Sequence, residues 1–203
     1  MDPHRGYVSV YSQFSLDGWD ALSESASHEF SRSLCAELMR ADEITADACQ
    51  VAAFKLANEI SSRHQVAVRE WVTVEFVVIY MTVVRIDLLW VGDVDGGVVH
   101  NGHTVSQIEP DCSTRITRDG TSARVVTKSL SLDEPIAPTV LSLLIPTSGR
   151  VIAFIGSRAF GDAIRKLLPK RFAGSIDDRR LADGFESGDA NTAQGLIVEM
   201  GDA

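Results

Sequence analysis

The stretch Trp71-Val72-Thr73-Val74-Glu75-Phe76-Val77-Val78-Ile79-Tyr80, followed by Val84-Arg85-Ile86-Asp87-Leu88-Leu89-Trp90, decides the fold. Successive side chains on a strand point to opposite faces. Val72, Val74, Phe76, Val78 and Tyr80 therefore share one face, and Val84, Ile86, Leu88 and Trp90 share one face of the next strand. Upstream the period is that of a helix. Ala26, Phe30, Leu34 and Leu38 recur every four residues within 17–40, with Ser, Glu and Arg between them. A second helix is predicted over 42–62, with Ile44, Ala48, Val51, Ala52, Leu56 and Ile60 on its stripe. Asp42 and Glu43 suit its positive N-terminal end. Ahead of both helices, Val8, Val10, Phe14 and Leu16 mark a strand over 8–16.

Downstream, Gly96-Gly97 opens another short strand, and Asn101-Gly102 is a hairpin turn, because both central residues of that turn need positive φ. Residues 109–123 read as loop-rich. Strands are predicted near 124–127, 140–145 and 151–155, helices near 158–168 and 177–184, and a closing strand over 196–200. Helices, then many strands, then helices and a last strand do not alternate as a parallel β/α chain would. The order predicts an α+β fold, an antiparallel β-sandwich flanked by helices on both sides. A length of 203 residues predicts a single domain over 1–203.

Composition narrows the function classes. With 45% hydrophobic and 23% charged residues the chain reads as soluble and globular rather than disordered. A net charge of −9 disfavours nucleic acid and anionic membranes as partners. It suits a carboxylate-rich cation site and a plain solvated surface alike. Cys35, Cys49 and Cys112 are odd in number and lack metal-ligand spacing, which predicts reduced thiols in a cytoplasmic protein. No apolar signal core and no uncharged run of membrane-spanning length is present, so no membrane association is expected.

Four segments carry a family resemblance, the second and third of them in a structural role. Phe14-Ser15-Leu16-Asp17-Gly18 precedes the helix start Ser23-Glu24-Ser25-Ala26-Ser27. Leu88-Leu89-Trp90-Val91-Gly92-Asp93 leads into Gly97-Val98-Val99-His100-Asn101-Gly102. Val126-Thr127-Lys128-Ser129-Leu130 closes at Asp133, and Ile152-Ala153-Phe154-Ile155-Gly156-Ser157 runs into a helix. In this order, from Phe14 to Met200, the chain resembles the metal-dependent protein phosphatase family (PPM, the protein phosphatase 2C type). The resemblance implies a site where carboxylates hold two metal ions, with the Asp17 carboxylate and the Gly18 carbonyl as ligands; hard divalent cations demand such oxygens. Asp17 equally suits a helix cap.

Departures from the family pattern bear on activity. Trp19-Asp20 stands where further glycines are usual, and Val94 where the Gly-Asp turn continues with Ser. Only Asp2 and Arg5 can imitate the family's N-terminal Arg and metal-associated Asp. Ser157 falls where a metal-ligating Asp is implied, with Arg158 beside it. Arg158 can fill the vacant charge, bind a phosphate bidentately, or simply be solvated in a helix's first turn. Asp189 is a candidate metal ligand one position early, with Ala190 at the more natural alignment. His100 and His103 flank the hairpin turn and either clamp a metal or stay solvated. No Ser-His-Asp, Cys-His, zinc-ribbon or phosphate-loop signature is present.

Two-metal sites work by activating a bridging water and neutralising phosphate charge, and each lost carboxylate weakens the cation. The altered positions together imply a pseudophosphatase, a binding or regulatory module for a protein partner or phosphoprotein, which binds Mg²⁺ or Mn²⁺ weakly or not at all. The alternative is an active phosphoserine/phosphothreonine phosphatase with unconventional metal ligands.

Overall fold

The computed structural model describes residues 6–16, 20–64, 72–118, 120–145, 148–171 and 194–200. In chain order the elements are β1 (Tyr7–Leu16), α1 (Asp20–Leu38), α2 (Ala46–Arg63), β2 (Val72–Met81), β3 (Arg85–Val91), β4 (Val94–His100), β5 (His103–Gln107), β6 (Cys112–Ile116), β7 (Ser122–Val126), β8 (Thr139–Leu144), β9 (Val151–Ser157), α3 (Arg158–Arg171) and β10 (Gly195–Met200). One four-stranded sheet runs β1-β2-β3-β8, a second runs β10-β9-β4-β5, and β6 pairs with β7 alone. All the pairings between these strands are antiparallel.

Three apolar layers explain the stacking. Between the sheets lie Val77, Ile79 and Met81 of β2, Ile86, Leu88 and Trp90 of β3, and Val98, Val151 and Ile155 of the second sheet. On the outer face of the first sheet, Phe14, Val74, Phe76 and Val78 pack against Phe30, Leu34 and Leu38 of α1 and Leu56 and Ile60 of α2. On the outer face of the second, Val99, Ile152 and Phe154 meet Phe160 and Ile164 of α3. The architecture is the expected α+β sandwich with helices on both sides. Because β2 is covered on both faces, its sequence reads as an almost unbroken apolar run through Met81, as doubly buried strands do. The Phe14, Phe30 and Phe76 rings stand 6.1 and 5.8 Å apart in sequence along that layer, and burying each contributes about 1.5–3 kcal/mol.

β1 is an edge strand, and Ser27 of α1 takes part of the place of a neighbour. The Phe14 N–H donates to Ser27 Oγ at 2.7 Å, and Ser12 Oγ donates to the Ser27 carbonyl at 2.8 Å. The Asn101-Gly102 turn has the positive φ at both positions that its sequence requires, 46° and 89°.

Several boundaries differ from expectation. The second helix begins at Ala46 rather than Asp42, because Thr45 Oγ1 accepts the Ala48 N–H and caps it; Asp42 and Glu43 lie in the preceding turn. β4 starts at Val94, ahead of Gly96, and Val84 is exposed in the turn before β3. Residues 109–123, read as loop, contain β6 and the start of β7. β7 ends at Val126, so Thr127 to Leu130 is not strand, apart from a single bridge between Leu130 and Val74. The helix expected at 177–184 lies outside the described residues. Among the described residues no helix is long and apolar enough to cross a membrane.

Candidate functional site

The sheets bring a polar cluster to one end of the sandwich. Tyr11 of β1 reaches across to the Ser157 side chain at the end of β9, linking the two sheets. Burial pushes the Tyr11 phenol up to about 12; the Ser157 hydrogen bond opposes this and the Glu75 charge adds to it. Glu75, the lone charged residue of β2, accepts the Asp93 N–H at Oε2, 3.0 Å away. Burial pushes its carboxyl above the usual range; the Asp93 hydrogen bond works against this and the Asp93 charge with it.

Gly92-Asp93 forms the turn joining the sheets, between β3 and β4. Gly92 has φ +99°, and a Cβ there would meet Glu75 Cγ at 2.5 Å, so the turn and Glu75 pack without room for any side chain. The Gly92 N–H donates to Asp111 Oδ2 at 3.2 Å, and the Asp111 N–H returns to the Gly92 carbonyl at 3.0 Å. The β6–β7 hairpin closes over this turn. Arg124 Nη2 of β7 is 2.6 Å from Asp93 Oδ1, and Lys128 Nζ is 4.0 Å from Asp111 Oδ2. Cys112 stands beside them, its thiol pushed up by burial and by Asp93, with Arg124 and Arg158 opposing.

Ser157, where the resemblance implies a metal-ligating carboxylate, is committed to the backbone. Its Oγ accepts the Phe160 N–H at 3.3 Å, capping α3, and the Gln194 N–H at 3.2 Å. Its own N–H donates to the Gln194 carbonyl at 2.7 Å. Arg158 is half-exposed in the first turn of α3, with Asp162 as an ion-pair partner at 4.0 Å. Below it, Asp95, 3% exposed on β4, is held bidentately by Arg165 of α3, with Nη1 and Oδ1 2.8 Å apart. Arg165 also keeps the Asp162 carboxyl below its usual range, chiefly by its hydrogen bond.

Asp17, Gly18 and Asp189 lie outside the described residues, as do Asp2 and Arg5. Of the expected site residues, the structure brings Ser157 and Arg158 to the cluster. His100 and His103 lie away from it, on the β4–β5 hairpin at the opposite end of β9 from Ser157, where the His100 Nε2–H donates to the Ser148 carbonyl at 2.8 Å. Glu75, Asp93 and Arg124 were not singled out in the sequence as site residues. Their signal was the lone carboxylate in an apolar strand and the Gly-Asp turn facing it.

The described residues do not fit a divalent metal. Such an ion takes about six oxygen ligands, largely carboxylates. Among the described residues no three His, Cys, Asp or Glu side chains converge as ligands. Asp93 is already paired with Arg124 and Ser157 with backbone N–H groups.

No family model and no curated protein sequence matches the chain. Solved structures do. Serine/threonine phosphatase Stp1 from Staphylococcus aureus aligns with TM-score 0.64 and 15% identity, over 96% of this chain and 82% of that one. The S. agalactiae serine/threonine phosphatase gives 0.67 and 13%, over 95% and 85%. The catalytic domain of serine/threonine protein phosphatase PstP, in complex with two manganese ions, gives 0.56 and 15%, over 97% and 90%. The chain therefore has the fold of the PPM-type serine/threonine phosphatases.

Proposed function

We propose that this chain is a pseudophosphatase, a cytoplasmic module that binds a phosphoserine- or phosphothreonine-bearing protein through the cluster between its sheets and does not hydrolyse it. The observation that carries this reading is Ser157-Arg158. A hydroxyl tied to two backbone N–H groups and to Tyr11 stands where the resemblance implies a metal ligand, and a guanidinium follows it at the N-terminus of α3. Arg158 and the helix N-terminus together favour an anion. A groove of about 590 Å³ runs from Gln194 along the open edge of β1, lined by Ser9, Ser12, Ser31 and Arg32, and gives a peptide chain a path away from the cluster. The competing reading, an active Mg²⁺- or Mn²⁺-dependent phosphatase with unconventional ligands, draws on the likeness to the manganese-bound PstP domain.

Binding of phosphoserine and phosphothreonine peptides in the presence of EDTA tests the proposal. The expected result is saturable binding that is lost with the unphosphorylated peptide and weakened about tenfold by Arg158→Ala, the scale of a charge-assisted hydrogen bond. Binding that needs Mn²⁺, or that ignores Arg158→Ala, would contradict it.

A further inference from the structure

We infer that Arg124 is the resident cation of this cleft, occupying through the β6–β7 hairpin the electrostatic place of a divalent metal and holding Asp93 away from one. Two carboxylates meet at the β3–β4 turn. Glu75 accepts the Asp93 N–H, and the Asp93 charge acts on Glu75. Such a pair calls for a positive charge, and Arg124 supplies it at 2.6 Å from Asp93 Oδ1, in a place where the Asp93 side chain is only 21% exposed. The turn cannot swing aside to release Asp93, because Gly92 is wedged against Glu75 and tied on its other side to Asp111. The hairpin is anchored as well: the Thr127 N–H closes its base on the Asp111 carbonyl at 2.8 Å, the Asp111 N–H ties that base to the Gly92 carbonyl, and Lys128 Nζ donates to Thr139 Oγ1 of β8 at 3.0 Å.

Its sequence position suits this role. β6 and β7 send no large side chain into the core, so the hairpin contributes little burial, and its most definite engagement with the sandwich is through these basic groups. A guanidinium stays charged at every accessible pH and, unlike Mn²⁺, cannot be removed by a chelator. The cleft's charge is therefore balanced from within the chain. This inference rests on the functional reading above and names what stands in the metal's place.

Calorimetric titration of the full chain with Mn²⁺ tests it, with circular dichroism to verify folding of each variant. Arg124→Gln is expected to raise Mn²⁺ affinity at least about tenfold, since charge count governs affinity for hard cations. Arg124→Lys should leave it unchanged, and adding Asp93→Asn to Arg124→Gln should cancel the gain. Asp93→Asn alone should not alter the Mn²⁺ affinity of the parent chain. An Arg124→Gln variant no better than the parent would overturn the inference, as would a gain that survives Asp93→Asn. So would a parent chain whose Mn²⁺ binding depends on Asp93, a result that stands even if Arg124→Gln does not fold. Phosphatase turnover by the parent chain would sink the functional reading, whereas these titrations judge Arg124 alone.

Discussion

Glu75 is the residue where fold and site meet. It occupies a strand otherwise built of apolar and uncharged side chains, and burial raises its carboxyl above the usual range. A group whose folded pKa lies above its unfolded one contributes stability that is present below the ordinary carboxylate range and lost as pH rises through the folded pKa. The raised Glu75 carboxyl thus weakens the fold at neutral pH. Glu75→Gln, which keeps an oxygen for the Asp93 N–H, is expected to be more stable than the parent at pH 7 and to lose that advantage at about pH 4, where an ordinary carboxyl is half protonated. Urea unfolding at the two pH values measures this; equal differences at both would contradict it. At this scale the sequence was legible where a residue acts locally. Asn101-Gly102 announced its turn. Arg124 could not be read, because its partner lies 31 residues away, in the turn between β3 and β4.

Elements with a buried face were legible and those without one were not. β2, β3 and β9 carry long buried runs, and α1 shows its stripe of Ala26, Phe30, Leu34 and Leu38, all buried. The β6–β7 hairpin has mostly exposed side chains, Ile116 among them at 81%, so no apolar period marks it. The α2 boundary was misplaced because Asp42 and Glu43 mimic a first turn, while the actual cap, Thr45, looks like one more polar residue. α3 was legible as a helix, but its anchor was not. Asp95 is buried on β4 and reaches Arg165 across 70 residues; a Cβ on Gly161 would strike its Oδ2. Arg165→Met should therefore leave an uncompensated buried carboxylate and cost about 3 kcal/mol in urea unfolding. The same change made with Asp95→Asn should recover much of that. A loss below about 0.5 kcal/mol, ordinary for a surface substitution, would show that solvent already satisfies Asp95.

Across the whole molecule, the order of helices and strands sufficed for the architecture, because each layer needs an apolar face on the next and few arrangements provide one. Function was less legible. Asp17, Gly18 and Asp189, the candidate metal ligands, lie outside the described residues, and among the described residues the cleft holds Ser157, Arg158 and an Asp93 already paired with Arg124. On the proposed function this cleft binds a phosphoprotein and does not hydrolyse it. Initial rates of p-nitrophenyl phosphate and phosphopeptide hydrolysis, with the purified chain in saturating Mn²⁺, test it most directly. No turnover above that of an Asp17→Ala control is expected; robust Mn²⁺-dependent turnover that Asp17→Ala abolishes would contradict the proposal.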